Sequence, residues 1–411
     1  MQQRNVNFYY FRKRLVRNKP AVFGFVIIVL SAIITILGYH IMPDDSPNAN
    51  EGAVQIQKQT PGFYVKVITL NKNLEVEKVN FFEKLISGQE KDFTFVPVDT
   101  FWFQKAELHY VQYGKLKRKE NLPLIHAVRN VYVGDSKKLP ESHGANFIVK
   151  GDSLLYLDLK ENQKYASLND LKEEFINKHV KSKFYLLGTD KTGRDLLSRL
   201  LFGTRISLSI GFISVLISLL VGVSLGAMAG YFGGGTDKFI QWLMTVVWSI
   251  PSIMLVIAIS LALQSKGIWV SFVAVGLTTW VEVARVVRGQ VLSLKEKTYI
   301  EAARALGLSD LNIISKHIMP NLTGPIIVIA TSNFANAILI EAGLSFLGLG
   351  VQPPMPSWGM MINEGFHSIG TKNSSHLILL PSLCICLMVL AFNLLGNGLR
   401  DAYDPQGKVK L

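Results

Sequence analysis

The sequence predicts an all-α polytopic membrane protein of six transmembrane helices, with an α+β domain inserted between the first and second. Three observations lead there. Hydrophobic residues form 49% of the 411-residue chain and gather into runs of membrane length, unlike the scattered apolar residues of a soluble core. One long charged stretch separates the first run from the rest. Basic residues crowd some connecting segments and leave others almost bare, which is the signature of a fixed topology.

The first element is the run 21–42, led by RKRLVRNKP (12–20). A crossing needs about 20 apolar residues, so this is a transmembrane helix (21–43). Arg12, Lys13, Arg14, Arg17 and Lys19 keep the leading segment, 1–20, in the cytoplasm. The run is too long for a cleavable signal and no small-residue cleavage pattern follows it.

Residues 44–186 are different in kind. FYVKVITL (63–70), DFTFVPV (92–98) and FWFQKAELHYVQY (101–113) read as strands, and NFIVKGDSLLYLDL (146–159) as a hairpin turning at Gly151-Asp152. SLNDLKEEFINKHV (167–180) reads as a helix, with Ser167 and Asp170 as a capping box and Leu171, Phe175 and Ile176 on one face. After one crossing from the inside, this domain is expected outside the membrane. Its lysines are no objection, because long translocated loops escape the positive-inside rule.

Five more spans are expected near 206–228, 239–263, 269–287, 323–345 and 377–396, within a helical core at 187–400. Pro251 should kink the third. Arg285, Arg288, Lys295, Lys297, Arg304 and Lys316 crowd the link after the fourth span, and Arg400, Lys408 and Lys410 follow the sixth, leading into a tail at 401–411. The loops at 264–268 and 346–376 carry only Lys266 and Lys372. Both termini are therefore placed in the cytoplasm.

The net charge of +13 flanks apolar runs, which suits anionic lipid and topology better than nucleic acid. Cys384 and Cys386 would stand about 200° apart on a helix, so they neither pair nor chelate. GTDKTGRD (188–195) has the G-x4-G spacing of a phosphate loop, but Arg194-Asp195 replaces the required Lys-Ser/Thr, so it is taken as the turn into the second span. Neither a catalytic set, a metal cluster nor a cofactor motif is expected. The intramembrane polar residues are the functional suspects. Glu282 and Arg285 are spaced for a local ion pair. Asn333, Asn336 and Glu341 fall on one side of the fifth span, and either line a hydrophilic path or bond to neighbouring helices. Glu341 either clamps QPPMPSWG (352–359) or belongs to that path.

One stretch suits neither membrane nor core. TYIEAARALG (298–307) is a short amphipathic helix ending at Gly307, a left-handed stop. Ser309 should cap a second short helix, and Pro320 should break it before the fifth span. Together they make a compact knob at about 288–322, where the small residues Ala302, Ala303 and Ala305 permit close approach by another protein. A helix lying on lipid would prefer larger apolar residues and no mid-helix glutamate.

At these residues the chain resembles the permease subunits of binding-protein-dependent ATP-binding-cassette importers, whose mark is an EAA-x3-G loop. Here it is Glu301-Ala302-Ala303 and Gly307, followed by His317-Ile318-Met319-Pro320 where the family has Ile-x-Leu-Pro. LGTDKTGRDLLSRLLFGTRISL (187–208), EAGLSFLGLGVQPPMPSWGMMINEG (341–365) and NLLGNGLRDAYDP (393–405) are similar to the C-type permease of the oligopeptide/dipeptide/nickel branch, with Asn397 where an Asp is common. The resemblance covers 1–43 loosely and 187–405 strongly, and 44–186 is larger than the loop it replaces.

The resemblance implies a bacterial inner-membrane subunit, pairing as a heterodimer with a second permease. Two cytoplasmic ATP-binding subunits would engage the loop through Glu301, Ala302, Ala303, Gly307 and Pro320, while an extracytoplasmic solute-binding protein delivers substrate. The chain itself would be no enzyme. Peptides are the first expectation for the solute, with nickel or another small solute as the alternative. A secondary transporter is a poorer reading, because no inverted repeat is visible.

Overall fold

The computed structural model describes residues 11–265, 267–371 and 373–403; Lys266, Lys372, Lys408 and Lys410 lie outside the described residues, as does the tail beyond 403. The chain forms two units. One is built from Tyr39–Arg199 with Ser368–Leu377, the other from the segments up to Gly38, Leu200–His367 and from Ile378 onward.

The first apolar run is the helix α1 (Lys19–Ile41). Then come β1 (Phe63–Asn71), α2 (Phe81–Ser87), β2 (Phe93–Gln104), β3 (Glu107–Gln112), β4 (Lys119–Pro123), α3 (Leu124–Val128), β5 (Phe147–Lys150), β6 (Ser153–Leu157), β7 (Gln163–Ser167), α4 (Leu168–Glu174) and β8 (Val180–Tyr185). The strands make two antiparallel sheets, β4-β3-β2-β1-β8 and β5-β6-β7. Because successive side chains point to opposite faces, β1 serves two clusters. Val65 and Val67 pack with Ile56, Phe95 and Tyr185; Ile68 packs on the other side with Leu108, Leu154, Leu171 and Phe175.

Three expectations here need correction. The run 101–113 is two strands: β2 ends at Gln104, Lys105 turns with φ +52°, and β3 pairs back on β2. The helix expected over 167–180 stops at Glu174, and a π turn, Phe175–His179, leads into β8. The wider turn rotates the helix face. Leu171 and Phe175 stay buried while Ile176 is exposed. Ser167 caps this helix by accepting the amide of Asn169, but the expected capping box is not formed, since Asp170 makes no bond back to Ser167.

The GTDKTGRD stretch is organised by one carboxylate. Asp190 accepts the amides of Thr192 (2.8 Å) and Arg194 (3.0 Å) and the Arg194 Nε (2.6 Å), and it pairs with the fully buried Arg199. Burial pushes its pKa up, but the Arg199 and Arg194 guanidiniums outweigh that and hold it below the usual carboxylate range.

The second unit is helical: α5 (Leu196–Phe232, within the unit from Leu200), α6 (Gly234–Ser249), α7 (Ser252–Ala262), α8 (Ile268–Lys295), α9 (Thr298–Ala305), α10 (Asp310–Ile313), α11 (Met319–Phe346), α12 (Trp358–Phe366) and α13 (His376–Tyr403). Among the described residues five helical stretches are long and apolar enough to cross a membrane: α1, α5, α8, Asp310–Phe346 and α13. The expected third span is not one kinked helix. α6 and α7 are bent by 93°, and only as a pair do they bring the count to six. Proline disfavours helical backbone in the residue before it, and Ile250 is extended (φ −91°, ψ 128°).

Pro320 corrects a second expectation, since it does not break the helix. A π turn, Ile314–Ile318, leads directly into α11, of which Pro320 is the second residue, and the backbone stays helical across the junction. The helix therefore runs on through the proline.

α5 and α8 meet backbone to backbone. Gly222, Gly226 and Gly230 line one face of α5, and a Cβ on them would stand 2.7, 2.5 and 2.9 Å from the carbonyl oxygens of Trp280, Ala284 and Arg288. Small residues four apart allow this approach in lipid, where packing rather than the hydrophobic effect joins helices. Arg288 also holds α6 with a two-pronged bond to Asp237 (2.5 and 2.7 Å).

Two outcomes test these arrangements. Gly226→Val should cost at least about 1–3 kcal/mol by overpacking, lowering membrane abundance and melting temperature, whereas Gly289→Ala, with nothing within 4 Å of its Cβ position, should do neither. Asp190→Asn should lower the melting temperature strongly, because breaking a buried pair costs about 3–5 kcal/mol. Since the folded pKa of Asp190 is depressed, its contribution is complete above the unfolded carboxyl pKa and is lost as pH falls through the folded value. Melting curves of wild type and Asp190→Asn should therefore converge in acid.

Candidate functional site

α9 is set by its ends. Its last turn closes as a Schellman motif, with the Gly307 amide on Arg304 O (2.9 Å) and the Leu308 amide on Ala303 O (3.2 Å). This needs a left-handed residue, and Gly307 has φ +76° with open space around it. Ser309 has the extended backbone of an N-cap before α10, but its side chain makes no capping hydrogen bond, contrary to expectation. The inner face of the knob is a core of Ile300, Ala303, Ile313, Ile318 and Leu322 against Val287 and Val291 of α8. Ala303 is thus buried, and the approachable small residues are Ala302 and Ala305. Glu301 and Pro320 are exposed as well.

Several knob residues gave no sequence signal of their own. Tyr231, at the end of α5, donates to Asp310 Oδ1 (2.6 Å), and its carbonyl accepts from Lys295 (2.6 Å), while Arg304 lies 5.2 Å above its ring. These bonds tie the knob to the ends of α5 and α8. Leu306 and Leu311 are 81% and 77% exposed, and Glu301 is exposed too. An apolar spacing count finds no reason to mark them, because the face they belong to appears only once α9 and α10 are folded together.

The polar residues of the spans separate into enclosed and open. Asn333 is fully buried and reaches Ser218 Oγ (3.4 Å) and Thr279 O (3.5 Å), joining α11 to α5 and α8. Glu341 is fully buried too. It accepts from Ser345 Oγ (2.7 Å) and Ser207 Oγ (3.4 Å), with Ser357 also bonded to it, while Ser345 Oγ accepts the amide of Val351 (3.1 Å). Ser357 in turn caps α12 by accepting the Met360 amide (3.2 Å). Glu341 thereby holds the segment that folds back along α11, where Gly359 would have its Cβ 2.6 Å from Ala342 O. Of the three residues singled out on this helix, Asn336 borders a cavity.

That cavity, of about 430 Å³, lies at the α6–α7 break and is lined by Trp248, Pro251, Ser252, Thr278, Glu282 and Asn336 among others. The expected Glu282–Arg285 pair is absent. Arg285 stacks 3.9 Å over Trp248 instead, and Glu282 and Asn336 have no hydrogen-bond partner among the described residues. Thr278 and Thr279 bond their own helix, to the carbonyls of Ala274 and Val275. The same described residues contain no group of three or more His, Cys, Asp or Glu arranged to hold a metal ion.

The binding-protein-dependent transport system inner membrane component family matches residues 222–408, and the N-terminal TM domain of oligopeptide transport permease C matches residues 8–60. The glutathione transport system permease protein GsiD of Pectobacterium atrosepticum is 45% identical over 227 residues, 55% of this chain and 74% of that protein. The oligopeptide transport system permease protein OppC of Haemophilus influenzae is 41% identical, over 55% of this chain and 71% of that one. The dipeptide transport system permease protein DppC of Alkalihalophilus pseudofirmus is 42% identical, over 54% and 72%. Residues 61–221 lie outside both family matches.

Removing the Glu341 carboxylate tests the serine arrangement directly. Glu341→Ala leaves three buried hydroxyls without their acceptor, at about 1–3 kcal/mol for a buried group left unsatisfied. The variant should melt earlier, and limited proteolysis should cut 347–366 sooner, whereas Glu341→Gln, which keeps an acceptor oxygen, should lose less. Equal melting of wild type and the alanine variant would show that the carboxylate holds nothing.

Proposed function

The chain belongs to the family of binding-protein-dependent transport system inner membrane components, and on that premise we propose that it is the permease subunit of an ATP-driven importer carrying short peptides. The peptide reading rests on the relatives named above, whose cargoes by name are glutathione, oligopeptides and dipeptides. A second permease, two ATP-binding subunits on the cytoplasmic side and a solute-binding protein on the other would complete the machine. The chain supplies a path and a lever and leaves ATP hydrolysis to its partners.

The observation that supports the lever best is the construction of the knob. Its inner face is fused to the ends of α5 and α8 through an apolar core and the Tyr231 bonds, so it moves only if those helices move. Its outer face offers a carboxylate, Glu301, with Ala302, Ala305, Leu306 and Leu311, which suits a protein partner better than water. Closure of the ATP-binding subunits would then shift α5 and α8 between two packed arrangements. We assign the cavity at the α6–α7 break to the path, with Asn336 and Glu282 facing the solute, and Asn333 and Glu341 bracing the wall behind. An uncommitted carboxylate at membrane depth is costly, and intramembrane charges mark transport routes. A broken helix, which frees backbone polar groups, is tolerated where it lines such a space.

Gly307 provides the test. Because nothing lies near its Cβ position, a substitution there acts through backbone strain, of about 1–3 kcal/mol for a left-handed residue. Gly307→Val should keep normal membrane abundance but lose most labelled di- or tripeptide uptake and binding-protein-stimulated ATP hydrolysis. Gly307→Asn, whose side chain tolerates left-handed backbone, should keep most of both. Wild-type uptake by the valine variant would defeat the lever reading. Failure of wild type to take up any peptide, with stimulated hydrolysis intact, would instead reject peptides as the solute.

A further inference from the structure

The inserted unit carries a short helix whose apolar side chains are largely exposed. α2 has no buried residue, and Phe81, Phe82 and Ile86 are 56%, 75% and 73% exposed. Phe82 and Ile86 are four apart and share a face. Lys84, about 200° around the helix from Phe82, is bonded to Asp45 at 2.6 Å. The polar side of α2 is therefore pinned and its apolar side faces out. A seven-residue helix has little stability in water on its own.

What pins it is the exit of the first membrane span. Asp45, four residues beyond α1, takes Lys84 and Lys91, and its carbonyl accepts the amide of Gln89 (2.9 Å). Gly88 comes so near α1 that a Cβ there would stand 2.7 Å from the Tyr39 ring. His40, in the last turn of α1, stacks on Phe81 with centroids 4.3 Å apart. His40 also ends an exposed stripe of α1, on which Val26, Leu30, Ile33 and Ile36 recur at helical spacing. In a helix of mean hydropathy 2.8 such a stripe faces acyl chains. α2 is thus held against the last turn of α1, the end of an apolar run of membrane length.

We propose that α2 is an interfacial anchor: Phe81, Phe82 and Ile86 insert into the headgroup–acyl boundary of the leaflet in which α1 ends. The occupant is the lipid surface itself. An apolar helix face of this kind sits about 5–10 Å into that boundary. The polar side stays tied to Asp45, so the anchor fixes the inserted unit at its connection to α1.

The experiment uses the full chain in vesicles of phosphatidylcholine and phosphatidylglycerol. The free cysteines Cys384 and Cys386 are first replaced by serine. Phe82→Cys and Ile86→Cys are then labelled separately with an environment-sensitive fluorophore, so that one poorly folded variant does not decide the matter. The expected result at both positions is blue-shifted emission, mostly lost when lipids carry a nitroxide near the headgroup and little affected by aqueous iodide. Quenching by iodide alone would place the face in water and overturn the proposal. Protection from both quenchers would mean that protein covers it, and would overturn it equally.

Discussion

The approach of α5 to α8 is the contact on which the helical unit depends. Gly222, Gly226 and Gly230 put no side chain of α5 between the helices, so Val283, Val287 and Val291 of α8 pack directly on its backbone, and the facing carbonyls of Trp280, Ala284 and Arg288 recur at the same interval of four. In lipid, where apolar groups gain nothing by leaving solvent for one another, such contact is what holds two spans together. It also sets what the helix ends can do. Tyr231 and Lys295 sit at the far ends of this pair, and their bond at 2.6 Å begins the attachment of the knob.

The unit treats its polar groups in two ways. Those that hold helices are engaged: Asp237 with Arg288, Glu341 with its serines, and the side-chain nitrogen of Asn333 with two neighbouring helices. The cavity at the broken third span is different, since Glu282 and Asn336 face open space and make no bond among the described residues. Their exposure to the cavity is the feature a solute path requires.

The inserted unit is independent in its construction. Its two sheets enclose one main core with α3 and α4, and its polar organisation centres on Asp190, where charge, two guanidiniums and backbone amides converge. The two family matches end at residue 60 and resume at 222, so the common permease physics says little about this unit. Its chemistry has to be taken from its own residues, as with the exposed aromatic face of α2.

The sequence by itself determined the class, the inserted unit and the knob, because each depends on local signals. Apolar length marks a span, alternation marks the strands, and a short amphipathic stretch closed by Gly307 marks the knob. The left-handed stop at Gly307 and the turn at Gly151 were also legible, since few other residues adopt that backbone without strain. What depends on the register between helices was not. Proline was visible at 251 and 320, but only neighbouring backbone decided that one breaks its span and the other continues it. Ala303 and Ala302 look alike in sequence, yet one is in a core and the other on a surface. Arg285 lay at pairing distance from Glu282 along the helix, and the ring of Trp248, from another helix, drew it away. Local propensity is carried by the chain, whereas which side chains face one another is set by the packing of helices distant in sequence.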